Sequence, residues 1–304
     1  MSYMTSYSNP EQVLKAAEEL QNLNKEVSAY ESLYNYMTSS RAKPWSQALE
    51  KIILLLIEIS LKNKRTTTGS LSEPLRNYKI STQHNNIQSL EMVLEKYCSM
   101  SEEILEKTAK KMDYRKLLDD EDLEESDNAE LYINSVSQDS ISDKEELKAA
   151  WRLVWDTYRT TLDSISRHNR LEGLYQRTLE KALEFCKKYN RKNEAKRLFE
   201  STHINLSNLL KYLDPTQEQQ KYAFPVDLST PETNEIQITL RLNLLHYAYH
   251  FGLWQEAIKT LEDINKIMQK SEKAIKPKIL SEYFENLAKM FWKSEFYLYN
   301  AHAF

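Results

Sequence analysis

The amino-acid sequence predicts an all-α protein. Only three of its 304 residues are glycine and seven are proline, so few positions carry the residues that sharp turns require. Leu, Glu and Lys are the three commonest residues of the sequence, and these residues favour helices. Few stretches alternate β-branched and polar residues, as the strands of a half-buried sheet would.

One short segment predicts how the helices are arranged. Residues 252–258 read GLWQEAI and lie between two helical segments. Gly252 suits the positive φ that closes a helix, Trp254 can pack back across the hairpin, and Ala257 is small enough for two helix backbones to approach. The order Gly-x-aromatic-x-x-Ala is typical of tetratricopeptide-type repeats. We therefore predict a right-handed superhelical stack of helical hairpins, an architecture that usually holds partners.

The other helices are predicted from caps and apolar spacing. Pro10 suits the first position of a helix that Asn9 caps, and Asn24 suits the turn before a second helix. A third helix at residues 45–61 is apolar on nearly every face, so we expect it inside the stack. The later predicted helices span residues 87–118, 147–165, 171–189, 192–213 and 277–292, with two more flanking Gly252.

A change in composition divides the chain. Residues 119–127 carry seven acids in nine positions, and such a block repels itself and favours a solvated loop. An acidic strip that docks a partner is the alternative interpretation. We predict a helical-repeat region at 1–118, an acidic flexible linker at 119–146 and further helical repeats at 147–304.

The residues predict no catalytic site, no cofactor and no metal site. Three isolated glycines cannot form a phosphate-binding loop. Cys98 and Cys186 lie far apart and match no metal-ligand spacing, which is typical of a protein in a reducing compartment. His246 and His250 are four residues apart but lack the glutamate of a zinc-protease motif, so we expect ordinary helix residues. The most apolar run, residues 52–59, is shorter than the roughly 20 residues of a membrane span.

The charge pattern offers one candidate contact surface. The net charge of −4 and the pI near 6.0 argue against a nucleic-acid binder by overall charge. Six basic residues nevertheless fall within eleven positions: Lys187, Lys188, Arg191, Lys192, Lys196 and Arg197. They are interpreted either as solvated helix ends, where cations suit the last carbonyls, or as a corner that contacts RNA phosphates or an acidic protein.

One long string is specific enough to compare with known families, WRLVWDTYRTTLDSISRHNRLEGLYQRTLEKALEFCKKYNRKNEAKRL at residues 151–198. It resembles the largest subunit of eukaryotic translation initiation factor three. Similar strings are FGLWQEAIKTLEDINKIM at residues 251–268 and the final KPKILSEYFENLAKMFWKSEFYLYNAHAF. PEQVLKAAEELQNL near the amino terminus and the acidic DDEDLEE fall in the family's order, so the resemblance covers essentially the whole chain.

The resemblance implies the helical-repeat arm of a scaffold protein without catalytic residues or cofactors. In the family this arm leads into a PCI module, which pairs with the PCI module of the factor's c subunit. Because the family continues toward that module about where this sequence stops, we expect an N-terminal fragment that ends before it. The implied partners are other subunits of the factor, notably the c subunit, proteins of the small ribosomal subunit, and mRNA or rRNA. A cytoplasmic location follows, with no membrane and no small-molecule substrate.

The predicted function is therefore a non-catalytic scaffold that helps an initiation factor bind mRNA and the small ribosomal subunit. The alternative is a helical-repeat, PCI-type subunit of a proteasome-lid or signalosome-like complex. Helical periodicity does not separate these two, and only the strings quoted above favour the first. An enzyme with a helical active site is disfavoured because no polar constellation stands out in the sequence.

Overall fold

The computed structural model describes residues 9–39, 44–62, 71–111, 138–166, 168–212, 226, 228, 230–270 and 276–303. The regular elements within these ranges are all helices, which confirms the predicted all-α class. These residues fall into two compact units, one ending at Ser164 and the other beginning at Ile165.

Six helices lie in the described part of the first unit. They are α1 (Pro10–Asn22), α2 (Glu26–Thr38), α3 (Gln47–Lys62), α4 (Ser72–Thr82), α5 (Ile87–Lys111) and α6 (Gln138–Ile165). Helix α1 begins as predicted, since Oδ1 of Asn9 accepts the N–H of Glu11 at 3.1 Å and so satisfies one unpaired amide of the first turn. Helix α4 lies in a segment for which the sequence analysis predicts no helix. Pro74 lies in its first turn, where the missing N–H would have had no helical partner.

Helix α3 lies at the centre of the first unit. It contacts α1, α2, α4 and α5, and eight of its residues are buried, including Ile53, Leu56 and Ile57. A helix with apolar residues on nearly every face is unstable in water unless neighbouring helices cover all those faces. The structure thereby confirms the prediction that this segment is sandwiched.

Helix α6 packs in the first unit rather than with the residues that follow it. The Tyr158 hydroxyl donates to Oε1 of Glu102 on α5 at 2.7 Å, and the Cys98 sulfur lies 3.7 Å from Oγ1 of Thr161. The predicted boundary at residue 147 therefore differs from the division between the compact units, and α6 begins at Gln138, inside the predicted linker. The acidic segment at residues 119–127 lies outside the described residues, as does the predicted helical stretch at 112–118.

The second unit is a series of hairpins. After a 3₁₀ turn at Asn169–Leu171 come α7 (Glu172–Lys188), α8 (Lys192–Tyr212), α9 (Pro231–Phe251), α10 (Trp254–Lys270), α11 (Pro277–Lys293) and α12 (Tyr297–Ala303). Contacts join α7 to α8, α9 to α10, α10 to α11 and α11 to α12. In addition, α7, α9 and α11 contact one another in succession, and α8 contacts α10. The helices of this unit therefore form two layers, the pattern of a helical-repeat stack.

One turn geometry closes four hairpins of the chain. Asn24, Asn190, Gly252 and Glu295 all have a positive φ, between 52° and 65°. In each case the N–H of the following residue reaches back five residues to a helix carbonyl, as from Leu253 to Ala248 at 2.9 Å. This is the Schellman motif, in which a left-handed residue ends the helix and satisfies its last carbonyls. The next helix begins two residues after the left-handed residue in all four cases.

Candidate functional site

The basic cluster is built around the turn between α7 and α8. Asn190 adopts the left-handed conformation with φ of 52°, which asparagine tolerates better than most residues. The Arg191 N–H donates to the Cys186 carbonyl at 2.8 Å and closes the Schellman motif. As a result α7 ends at Lys188, α8 begins at Lys192, and the six basic residues meet at one hairpin end.

Four of the six basic residues are exposed. They are Lys187, Lys188, Lys192 and Lys196, while Arg197 is half-buried. Lys192 and Lys196 are one helical turn apart on α8, so their side chains share a face. The Lys188 ammonium lies 5.3 Å from the ring centroid of Tyr189, and the Lys187 ammonium lies 6.0 Å from that of Tyr247 on α9. The exposed lysines thus form a positive surface at this turn.

Arg191 does not belong to that surface. It is only 4% exposed, and Glu194, in the first turn of α8, is 1% exposed. Both charges act on the fully buried Cys186 between the helices. Burial is the main cause that raises the pKa of the Cys186 thiol, the Glu194 carboxylate raises it further, and Arg191 partly offsets the shift. Arg191 is therefore an interior residue of the hairpin, and the candidate contact surface comprises five of the six predicted residues.

The lysines differ in how well they suit their helix positions. Lys187 and Lys188 lie in the last turn of α7, where the helix dipole favours cations. Lys192 instead occupies the first position of α8, where the dipole favours anions. A residue that opposes the local helix dipole points to a requirement beyond folding. This argument favours a contact role for Lys192 over a purely structural one.

The hairpin between α9 and α10 contains the three residues predicted to shape it, Gly252, Trp254 and Ala257. Gly252 has φ of 65° and caps α9, and Ala257 is fully buried where α10 faces α9. Trp254 is half-buried. Its ring centroid lies 5.7 Å from that of Tyr249, and the Lys293 ammonium of α11 lies 5.6 Å from it. Trp254 therefore links three helices at the turn while keeping part of its ring in solvent.

A polar cavity inside the second unit was not predicted. It has a volume of about 20 Å³, room for about one water molecule, and its lining includes His168, Glu172, Gln237 and Arg241. Burial raises the pKa of Glu172 to about 7, against a smaller opposite effect of a hydrogen bond from Thr233. The sequence carried one signal, since Gln237 and Arg241 lie four residues apart and alternate with the apolar Ile238, Leu240 and Leu242. In the structure Arg241 donates to Oε1 of Gln237 at 2.8 Å. A space of this size has no room for an organic substrate.

Among the described residues, no group of three or more His, Cys, Asp or Glu side chains is placed to hold a metal ion. His246 and His250 are both exposed on α9, and Cys98 and Cys186 are buried thiols that form no disulfide. Within the same residues, no helix combines the length and apolar character needed to cross a membrane.

Comparison with known proteins extends these observations. Residues 11–304 match the family described as eIF3a, PCI domain, TPR-like region. Among the A subunits of eukaryotic translation initiation factor 3, that of Arabidopsis thaliana is 34% identical over 305 residues, which cover 99% of this chain and 30% of that protein. Its counterpart from Homo sapiens is 31% identical over 299 residues, covering 97% of this chain and 21% of that protein. The chain therefore spans less than a third of the length of these curated relatives.

Two layers of helices joined by repeated hairpin turns define a helical-repeat protein. Within that class, the family match covers nearly the whole chain and agrees with the resemblance found in the sequence. The chain belongs to the eIF3a family of PCI and TPR-like regions. This result favours the translation-factor interpretation over a component of a proteasome lid or signalosome, and it confirms the expected family.

Proposed function

We propose that this chain is a non-catalytic scaffold of eukaryotic translation initiation factor 3 that helps the factor bind mRNA and the small ribosomal subunit. The observation that carries the proposal is membership of the eIF3a family over residues 11–304. The helical hairpins supply an extended surface of the kind that repeat proteins use to hold partners. We further propose a cytoplasmic location and partnership with other subunits of the factor, notably the c subunit, and with small-subunit proteins.

We assign the ribosome or RNA contact to the basic turn, defined as Lys187, Lys188, Lys192, Lys196 and Arg197. Four of these side chains are exposed and lie at a single hairpin end. Lysines gathered in this way release counterions when they meet phosphates, so their contribution to binding decreases as salt increases. The surface is too local for sequence-specific recognition, and we propose that it positions the scaffold through phosphate charge.

Charge reversal tests the basic turn. The variant carries Lys188→Glu, Lys192→Glu and Lys196→Glu in the full chain. We expect weaker co-sedimentation with purified small ribosomal subunits at low salt, and a smaller difference as salt is raised. Thermal unfolding should change little because exposed charges contribute little stability.

The matched control reverses three exposed lysines of the same unit, Lys211, Lys270 and Lys278. Lys211 and Lys270 are in the last turns of α8 and α10, and Lys278 is near the start of α11. All three lie at the hairpin ends remote from the turns, and their reversal changes the net charge by the same amount. Equal loss of binding in both variants would show that overall charge, not the basic turn, governs the interaction.

A further inference from the structure

The polar cavity of the second unit lies between α7 and the two helices that pack against it, α8 and α9. Its polar lining includes Glu172 on α7, Thr202 on α8, and Gln237 and Arg241 on α9. These four residues are between 3% and 8% exposed. The volume of about 20 Å³ exceeds the roughly 10–15 Å³ that one water molecule requires. The cavity can therefore hold one water molecule or one monatomic ion.

Arg241 brings a buried positive charge to this cavity. Its Nη1 atom donates to the backbone carbonyl of Gln237 at 2.9 Å and to Oε1 of the same residue at 2.8 Å, and both acceptors are uncharged. Burial lowers the pKa of the Arg241 guanidinium, and the Asp263 carboxylate and Tyr175 offset this effect only in part. Arginine nevertheless stays protonated in proteins, so its buried charge requires a counterion.

Asp263 is the carboxylate that acts on Arg241, but it also serves two other groups. Its Oδ2 atom lies 2.7 Å from Nδ1 of His203 on α8, and its Oδ1 atom lies 3.4 Å from the ammonium of Lys266 on α10. Arg241 and Lys266 together carry one positive charge more than Asp263 balances. Lys266 is half-exposed and is solvated by water, whereas Arg241 is buried. The excess charge is therefore most costly at Arg241.

Glu172 does not supply the missing negative charge below neutral pH. Burial raises the pKa of its carboxyl group to about 7, so the neutral acid predominates below that pH. Its Oε1 atom is buried and has no protein hydrogen-bond partner among the described residues. A carboxylic acid carries an O–H donor, and a buried donor requires an acceptor. A cavity lined by a guanidinium and a neutral carboxyl group therefore favours an anion over a cation.

We propose that the polar cavity is a chloride-binding site, in which the Arg241 guanidinium and the protonated carboxyl group of Glu172 hold the ion. Chloride accepts hydrogen bonds from both groups and supplies the negative charge that Asp263 shares with other cations. It is only slightly larger than a water molecule, whereas phosphate and organic anions exceed the volume of the cavity. A water molecule would accept the same hydrogen bonds but would leave the excess positive charge in place. The site lies inside the fold, so the inference is independent of the proposed function.

The affinity for chloride should depend on pH through Glu172. The other titratable or charged side chains that line the cavity are His168, Tyr175 and Arg241, and those contributed by α8 do not titrate. Above pH 7 the carboxylate of Glu172 repels the anion and no longer offers an O–H donor. A pKa of about 7 leaves about nine-tenths of this group protonated at pH 6 and about one-tenth at pH 8. Only the protonated fraction binds, so the affinity should be about tenfold weaker at pH 8.

Two measurements on the full chain test the site. Line broadening of chloride-35 in nuclear magnetic resonance, titrated with sodium chloride, gives the dissociation constant at pH 6 and pH 8. Thermal unfolding is followed in mixtures of sodium chloride and sodium gluconate at constant ionic strength, because gluconate is too large for the cavity. Arg241→Met removes the buried charge, and Glu172→Gln keeps a neutral donor of the same shape that cannot ionise. Glu200→Gln, an exposed position on α8, is the matched control for Glu172→Gln.

Wild-type protein should broaden the chloride-35 line in a saturable manner at pH 6, with a dissociation constant about tenfold larger at pH 8. Its unfolding temperature at pH 6 should rise as chloride replaces gluconate, because an ion that binds only the folded state stabilises it. Glu172→Gln should bind chloride equally at the two pH values, and any effect of His168 remains in this variant. Glu200→Gln should behave as the wild type does. Arg241→Met should show no saturable broadening at either pH.

Three results would overturn the proposal. Equal unfolding temperatures in chloride and gluconate, without saturable broadening, would show that the cavity holds water only. Saturable broadening that persists in a folded Arg241→Met variant would place the ion elsewhere. A tenfold pH effect retained in Glu172→Gln would remove Glu172 from the site. If Arg241→Met does not fold, the comparison of the wild type with Glu172→Gln decides, because that pair tests the cavity without removing the buried charge.

Discussion

Burial changes the acid–base chemistry of Glu172. Its side chain is 7% exposed and lines the polar cavity with His168, Tyr175 and Arg241. The pKa in the folded chain is about 7, above the usual 4.5. Between those pH values the folded state holds a proton that the unfolded state has released, so stability decreases as pH rises through this window.

We therefore expect Glu172→Gln to remove a pH dependence. The wild-type chain should lose about 2–3 kcal/mol of unfolding free energy from this group between pH 4.5 and pH 7, with no further loss above. The glutamine variant cannot ionise and should be more stable than wild type at pH 8. Urea unfolding at a series of pH values measures both effects. Glu200→Gln, an exposed position on α8, is the control, and an unchanged slope in Glu172→Gln would contradict the assignment.

The left-handed residues of the turns predict a pair of opposite effects. A side chain at positive φ costs about 1–2 kcal/mol, and the space near Gly252 is open, since an added Cβ would meet only Nε1 of Trp254 at 3.9 Å. Gly252→Ala should therefore destabilise the second unit by about 1 kcal/mol through backbone strain alone. Glu295→Gly should stabilise it by about 0.5 kcal/mol, because relief of strain exceeds the added freedom of the unfolded chain. Denaturant unfolding of both variants tests the assignment, and two changes of the same sign would refute it.

The sequence predicts the backbone conformation of some turn residues, but it does not predict which charged residues are buried. Gly252 and Asn190 adopt the left-handed conformation, which glycine and asparagine tolerate. The residue type alone was therefore enough to predict the positive φ at Gly252. Glu295 gave no such signal, since glutamate disfavours positive φ. Arg191 is adjacent to five exposed or half-buried basic residues in sequence, yet the return of α8 over α7 buries it. Burial of a charge depends on which elements meet, and spacing along one chain segment does not contain that information.

At the scale of one hairpin, Trp254 determines how α9, α10 and α11 meet at their turn. Its ring contacts that of Tyr249 at a tilt of 36°, and the Lys293 ammonium lies 5.6 Å from its centroid. The sequence predicts that Trp254 packs back across the hairpin, and removal of a buried aromatic side chain costs about 3–5 kcal/mol. Because part of the ring is exposed, we now expect Trp254→Ala to cost about 2 kcal/mol, the loss of roughly half that burial with the ring–ring contact.

Trp254→Phe is the matched control for this prediction. Phenylalanine keeps a ring against Tyr249 and should retain most of the stability that alanine loses. Thermal unfolding of the full chain measures both variants. Equal destabilisation by alanine and phenylalanine would mean that the indole itself, rather than ring contact, holds the turn.

At the scale of the whole molecule, the structure divides the chain at a different place from its composition. The acidic block led to a predicted boundary at residue 147, whereas the compact units divide after Ser164. Helix α6 explains the difference because its apolar face is buried at Trp151, Trp155 and Tyr158. Hydrogen bonding of Tyr158 to Glu102 ties that face to α5. Charge patterns locate solvated segments, but only packing decides to which unit a helix belongs.

This division predicts the behaviour of two fragments. A fragment of residues 1–164 should unfold cooperatively, because it contains α3 and α4, which contact α5, and the part of α6 that bonds to α5. A fragment of residues 1–146 lacks the buried part of α6, exposes that surface to water and should be markedly less stable. Urea unfolding followed by circular dichroism compares them. Equal cooperativity and midpoint for the two fragments would place α6 outside the first unit.

The common turn geometry also has a consequence for how the surface can change over evolutionary time. In four hairpins, one residue in the left-handed conformation ends the first helix, and a single connecting residue precedes the next helix. The length and the hydrogen bonds of this turn are determined by the backbone and not by the flanking side chains. Residues on either side can therefore be replaced without shifting the register between the paired helices. The side chains that flank these turns can therefore change during evolution, and with them the partners that the turns bind, while the packing of the helices is retained.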